Sequence, residues 1–163
     1  MKILLVRHAI ALDLGTPGVS DELRPLTEEG VSRFRKTARA LGALATADLI
    51  LTSPLLRAKQ TAELLAKQWA GVAVHESAPL GDGSRILFEE ALTRLPATSV
   101  VAAVGHEPYL SEWTAEWLGG SASEPFAFKK GGAALIEFDE EVAERNGRLI
   151  FFVAPKALRD LSD

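Results

Sequence analysis

Three times along this chain a short apolar run stops abruptly at polar residues and gives way to a helical pattern. That recurrence limits the possible folds more than any other feature of the sequence. Ile3-Leu4-Leu5-Val6 is an uninterrupted apolar run that ends at Arg7-His8. Such a run has no polar face to show to water, so it reads as a strand buried on both sides, as in the parallel sheet of an α/β domain. Residues 48–52 form a second β-like run, after which Ser53-Pro54 offers a cap and a first-turn proline for a helix reaching about Trp69. Residues 99–104 form the third, ending in Gly105-His106-Glu107-Pro108 ahead of an amphipathic helix that carries Leu110, Trp113 and Trp117.

Other segments complete the pattern. Val31, Phe34, Ala38, Leu41 and Leu44 recur at helical spacing, with Thr27 placed to cap and Glu28 and Glu29 in the first turn, so a helix is expected over residues 27–44. A weaker strand is expected over residues 72–75 and a helix over residues 84–95, separated by a turn-rich stretch at residues 78–83. Residues 133–138 and 148–153 flank an acidic stretch and the turn signal Asn146-Gly147, which places two antiparallel neighbours at one side of the sheet. No repeat, linker or low-complexity segment interrupts the chain.

With 163 residues, 47% of them hydrophobic, the chain can bury one core and is too short for two ordinary domains, so a single domain over residues 1–163 is expected. Eighteen basic and twenty-two acidic residues give a net charge of -4, the wrong sign for a duplex-binding protein, and no nucleic-acid partner is expected. Cysteine is absent, which removes disulfides, thiolate nucleophiles and cysteine-based zinc sites and suits a cytoplasmic location. The first apolar run is too short for a signal-peptide core, and no stretch approaches the roughly 18 apolar residues that span a bilayer. No membrane association is expected.

Arg7-His8, the segment from Ser53 to Arg57, and Gly105-His106 all follow a strand, and in open α/β sheets ligands bind beyond the carboxyl ends of the strands. Two guanidiniums, two imidazoles and nearby helix N-termini would then converge on a tetrahedral oxyanion such as phosphate or sulfate. Without cysteine, the best nucleophile toward a bound phosphoryl group is a neutral imidazole, whose ordinary pKa is about 6.5. His8 is that candidate. Its second ring nitrogen must donate a hydrogen bond to fix the attacking tautomer, to a carbonyl or carboxylate that the spacing does not identify. The histidines lack the spacings that place metal ligands on one face, and Arg7 and Arg57 would repel a cation, so neither metal nor other cofactor is expected.

Leu5-Val6-Arg7-His8-Ala9, Arg24-Pro25-Leu26-Thr27-Glu28-Glu29-Gly30, the ten residues from Ser53-Pro54 through Arg57 to Thr61-Ala62, and Gly105-His106-Glu107-Pro108 together resemble the histidine phosphatase superfamily. Within it the chain is similar to the short, SixA-like phosphohistidine phosphatases. The resemblance implies a phosphoglycerate mutase-like fold, a three-layer α/β/α sandwich around a mostly parallel sheet with an antiparallel edge strand. It further implies that His8 is transiently phosphorylated, that Arg7 and Arg57 clamp the phosphoryl oxygens, that His106 donates to them, and that water then hydrolyses the phosphohistidine. Ser53 is expected to help order the phosphoryl pocket, and Gln60 and Thr61 to hold the second helix against the sheet.

Mutases and broad phosphomonoesterases of the superfamily usually have Gly after the catalytic His, then Ser or Thr and Asn, where this chain has Ala9, Ile10 and Ala11. They also carry an acid-bearing insertion for which the interval between Thr61 and Val100 has little room. An alkyl phosphate must expel an alkoxide and needs a strong general acid, whereas phosphohistidine expels an imidazole, a far better leaving group. A phosphohistidine-bearing signalling or phosphotransfer protein is therefore the expected substrate, with Glu76, Asp82 and Glu107 kept as candidate acids. A small-molecule phosphomonoesterase using the same residues and a non-catalytic phosphate-binding module are the alternatives. Trp113 and Trp117 are read as core, His75 as a solvated strand end, the carboxylates of residues 137–144 as a solvated face or loop, and Lys129-Lys130 as a rim charge or a solvated turn.

Overall fold

Residues 1–120 and 126–161 are described by the computed structural model. Its six strands are β1 (Lys2–Arg7), β2 (Leu49–Thr52), β3 (Ala73–Glu76), β4 (Val100–Gly105), β5 (Ala133–Phe138) and β6 (Gly147–Val153), in the spatial order β3-β2-β4-β1-β5-β6. The first four are parallel neighbours, and β5 runs against both β1 and β6. The hairpin expected from Asn146-Gly147 therefore lies at one side of the sheet, with β5 as the reversed strand and β6 at the edge.

Side chains alternate across a strand, and both faces of β1 are covered. Leu4 and Val6 enter a layer built on α1 (Glu28–Leu44), α2 (Leu56–Ala66) and α6 (Pro155–Asp160), through Phe34, Leu41, Leu65 and Leu158 among others. Ile3 and Leu5 enter the opposite layer, built on α3 (Pro79–Asp82), α4 (Arg85–Leu92) and α5 (Tyr109–Trp117), with Leu80, Phe88, Leu110, Trp113 and Trp117. All four β1 side chains are fully buried, each stabilising the fold by about 1.5–3 kcal/mol. The result is the expected three-layer α/β/α sandwich. The Trp113 and Trp117 rings are core, Trp113 stacked on Phe88 and Trp117 tilted against it.

Thr27 caps α1 as its sequence foretells, its Oγ1 accepting the Gly30 N–H at 2.9 Å. Gly30 is also the point where the loop after β1 presses on α1, for a Cβ there would lie 2.0 Å from the Ile10 carbonyl oxygen. The second helix begins later than Ser53-Pro54 would place it. Ser53 Oγ accepts the Leu55 N–H at 3.2 Å in a local turn, and the first helical residue is Leu56. That helix also ends at Ala66 rather than near Trp69, as Gln68 and Trp69 turn back by short-range backbone bonds. Part of the stretch expected to be turns is the short helix α3, whose Leu80 is buried. The sequence reading contains no counterpart of α6, which has only six residues but seats Leu158 against the α1 layer. No described helix is long and apolar enough to cross a membrane.

Candidate active site

Strand register sets the geometry of the site. Arg7 is the partner of Gly105 across β1 and β4, and Thr52 is the partner of Val104 across β2 and β4. One residue beyond Arg7 and Gly105 stand His8 and His106, level with each other, while Ser53, one residue beyond Thr52, falls level with Gly105, so three sequence-distant residues meet at the strand ends. The His8 N–H donates to the Gly105 carbonyl at 3.0 Å and the Ser53 N–H to the Val104 carbonyl at 2.9 Å, which extends the ladder just past the strands. Neighbouring strands lie about 4.8 Å apart. The His8 and His106 ring centroids are accordingly 5.0 Å apart, their planes inclined by 50°.

The His8 ring is oriented by its own chain. Nδ1 lies 2.7 Å from the Ala9 carbonyl oxygen, and a carbonyl only accepts, so Nδ1 carries the proton and Nε2 keeps its lone pair. The orienting group left open by the sequence is thus the next peptide. That peptide is fixed in turn: Ala9 N–H donates to Thr61 Oγ1 at 3.0 Å, and Thr61 Oγ1 donates to the Arg57 carbonyl at 2.7 Å. Burial above all, opposed by the hydrogen bond to the Ala9 carbonyl and reinforced by the neighbouring His106 ring and the Arg57 and Arg7 charges, lowers the His8 pKa to about 3. The ring is neutral at physiological pH and has a free ring nitrogen.

His106 Nε2 lies 2.8 Å from Ser53 Oγ. Ser53 Oγ also accepts the Leu55 N–H, and with its hydroxyl donating to His106 Nε2 the ring proton sits on Nδ1. Burial first, and then the Arg57 charge, lower the His106 pKa to about 4.

Arg57 sits in the first turn of α2. Its Nη1 donates to the Asp21 carbonyl at 2.7 Å and its Nη2 to Asp21 Oδ2 at 3.3 Å. Arg7 Nη1 donates to the Phe128 carbonyl at 2.6 Å. Burial lowers the pKa of both guanidiniums, opposed by the charge of Glu107 at Arg7 and of Asp21 at Arg57. Among the described residues, the buried side-chain nitrogens and oxygens without a hydrogen-bond partner are Arg7 Nε, Arg57 Nε and His106 Nδ1. All three belong to the predicted residues, and in the tautomer given above all three are donors. An acceptor with several oxygens satisfies such a set.

Arg7, His8, Ser53, Arg57 and His106 are thus brought together as the sequence reading foresaw. Gln60 and Thr61 act differently from their expected part in packing: Gln60 Oε1 accepts the Leu26 N–H and Thr61 accepts that of Ala9, so they tie α2 to the loops after β1 rather than to a strand. His75 is exposed on the edge strand β3. One neighbour was missed. Asp21 lies in a single 3₁₀ turn (Asp21–Leu23) and accepts from Arg24 Nε at 2.8 Å as well as from Arg57. Burial pushes its carboxyl upward, but hydrogen bonds and charges from Arg24 and Arg57 outweigh that and hold its pKa below the ordinary value. The signal was the Arg24 motif itself, with an acidic residue three positions earlier.

Two fixed guanidiniums beside two neutral imidazoles, at the carboxyl ends of parallel strands, form a candidate site for a tetrahedral oxyanion. Comparison with known proteins carries this further. The sequence pattern of the histidine phosphatase superfamily (branch 1) matches residues 3–83. An uncharacterized protein of Picosynechococcus sp. is 36% identical over 97% of this chain and 99% of its own length. The structure assigned as the phosphohistidine phosphatase SixA of Agrobacterium tumefaciens superposes with a TM-score of 0.76 at 27% identity, covering 94% of this chain and 97% of that one. The structure of the protein histidine phosphatase SixA complexed with tungstate gives 0.77 at 25% identity, covering 97% and 99%. A structure from Escherichia coli assigned as an α-ribazole-5'-phosphate phosphatase shares the fold alone, at 19% identity and a TM-score of 0.75 over 95% and 98% of the two chains. The chain belongs to the histidine phosphatase superfamily and within it is SixA-like.

Proposed function

We propose that this protein is a phosphohistidine phosphatase that acts on a phosphorylated signalling or phosphotransfer protein through a phosphoenzyme at His8. The observation that carries the reading is the set of three unpartnered buried nitrogens, on Arg7, Arg57 and His106, in residues close enough to act electrostatically on His8, whose Nδ1 is engaged and whose Nε2 is free. Arg7, Arg57 and His106 hold the phosphoryl oxygens, and Ser53 orders His106. His8 Nε2 bonds to phosphorus as the P–N bond to the substrate imidazole breaks, and that imidazole is protonated from solvent as it departs. Water then attacks phosphorus, inorganic phosphate leaves, and His8 returns to its neutral state. The tungstate bound by the SixA relative is a tetrahedral oxyanion of the kind this pocket suits.

Phosphohistidine is favoured over an ester by the state of the nearby carboxylates. Asp21, which touches Arg57, is held ionised. Both oxygens of Glu107 accept hydrogen bonds, Glu76 pairs with Lys59 at 2.7 Å, and Asp82 Oδ1 accepts the Ser84 N–H at 3.0 Å. An alkoxide leaving group would need one of them protonated and aimed at it. Beside Arg7 a pocket of about 340 Å³, bordered by Lys129 and Phe126, leaves room for a protein-borne side chain.

The test compares turnover of a phosphohistidine-bearing protein with that of p-nitrophenyl phosphate, in chelator. Strong preference for the former supports the proposal. Turnover confined to the ester would replace it with the phosphomonoesterase reading, and phosphate binding without turnover of either would leave only a binding module.

A further inference from the structure

Glu107 follows His106 directly and lines the pocket beside Arg7, yet both oxygens of its carboxylate are engaged by other groups. Phe128 N–H donates to Glu107 Oε1 at 2.8 Å, and Ser111 Oγ, one helical turn further along, donates to Oε2 at 2.6 Å. Phe128 is also the residue whose carbonyl receives Arg7 Nη1. The two polar groups of one residue, Phe128, are therefore held by side chains from the ends of adjacent strands, Arg7 from β1 and Glu107 from β4.

We infer that Glu107 is a positioning residue, which sets the aim of Arg7 at the phosphoryl group through the backbone of Phe128. The inference rests on the phosphoryl-binding reading given above. Arg7 Nε has no protein partner, so among the described residues the Phe128 carbonyl is the fixed point of that guanidinium. The segment around Phe128 borders the open pocket beside Arg7, while the Phe128 ring itself is buried in the core. The aromatic ring of Phe128 is anchored separately, edge-on to Phe152 at 4.8 Å, but a ring anchor fixes neither the N–H nor the carbonyl direction. With both oxygens engaged as acceptors, Glu107 acts as a tether and not as a proton donor to the leaving group.

The experiment is titration of purified protein with tungstate, for the unmodified chain and for Glu107→Ala, Glu107→Gln and Glu107→Asp, each also combined with Arg7→Ala. Gln keeps an oxygen for Phe128 N–H and an amide for Ser111 but loses the charge; Asp keeps the charge but is one methylene too short. The tether predicts that Ala and Asp weaken tungstate binding about tenfold, that Gln stays within about twofold, and that none adds a loss once Arg7 is gone. Retention by Asp with loss in Gln would mean that charge matters and would overturn the proposal. So would equal losses with and without Arg7, or no loss in any variant. If Ala does not fold, the contrast between Gln and Asp decides alone. Undiminished tungstate affinity in Arg7→Ala by itself would instead overturn the phosphoryl-site reading, before any Glu107 variant is compared.

Discussion

Ser53 Oγ and His106 Nε2 are 2.8 Å apart although 53 residues separate them in the chain, and this hydrogen bond links the turn after β2 to the residue after β4. It governs which nitrogen of His106 faces the oxyanion region. Removal of the hydroxyl in Ser53→Ala frees the ring to take either tautomer. Turnover is expected to fall about tenfold, with a matching loss of tungstate affinity, whereas Ser53→Thr, which keeps the hydroxyl, should lose less. Steady-state kinetics with nitrogen NMR of the His106 tautomer checks this; an unchanged tautomer and rate would remove Ser53 from the site.

His8→Ala deletes the proposed nucleophile but keeps the donors that hold phosphate. Turnover of phosphohistidine should drop by at least about a thousandfold, and no radiolabelled phosphoenzyme should be trapped after rapid acid-free quenching, while tungstate still binds. A labelled His8→Ala protein would mean that another residue takes the phosphoryl group.

Thr61→Val keeps shape but removes the oxygen that accepts the Ala9 N–H and donates to the Arg57 carbonyl. A buried donor left unmade costs about 1–3 kcal/mol. Urea unfolding should show that loss, and kcat should fall as well, because the Ala9 peptide also orients His8.

Burial lowers the pKa of His8 to about 3 and of His106 to about 4, so the unfolded chain binds more protons than the folded one between those values and about 6.5. Their contribution to stability is fully present above pH 6.5 and is lost progressively as pH falls toward 3. Unfolding free energy measured from pH 7.5 to pH 4 should therefore decline, and the decline should be shallower in the His8→Asn, His106→Asn double variant. An identical slope in both proteins would mean that other groups carry the acid sensitivity.

Gly30→Ala should destabilise the fold by more than about 2 kcal/mol, since its Cβ would meet a backbone oxygen at 2.0 Å that no rotamer change can move. Thermal unfolding measures this. A shift of only a degree or so would show that the loop after β1 yields more easily than its packing implies.

The three apolar runs were legible because a strand buried on both faces leaves a continuous hydrophobic signature, and the helix at residues 28–44 because its cap and periodicity agree. The start of α2 was misjudged because Ser53 offers the same oxygen to a helix cap and to a turn, and its use by His106 favours the turn. The helix α6 escaped notice because six residues hold too little periodicity to register.

For the site, residue type together with position after a strand end marks Arg7, His8, Arg57 and His106 as candidates for oxyanion chemistry, and the sequence by itself determined that much along with the α/β plan. Tertiary structure decided the rest. The Ala9 carbonyl behind His8, the Asp21 carbonyl behind Arg57 and the Phe128 carbonyl behind Arg7 are backbone groups, present at every position and so without a sequence signal. Their selection depends on strand register, which places residues from distant parts of the chain within hydrogen-bond reach.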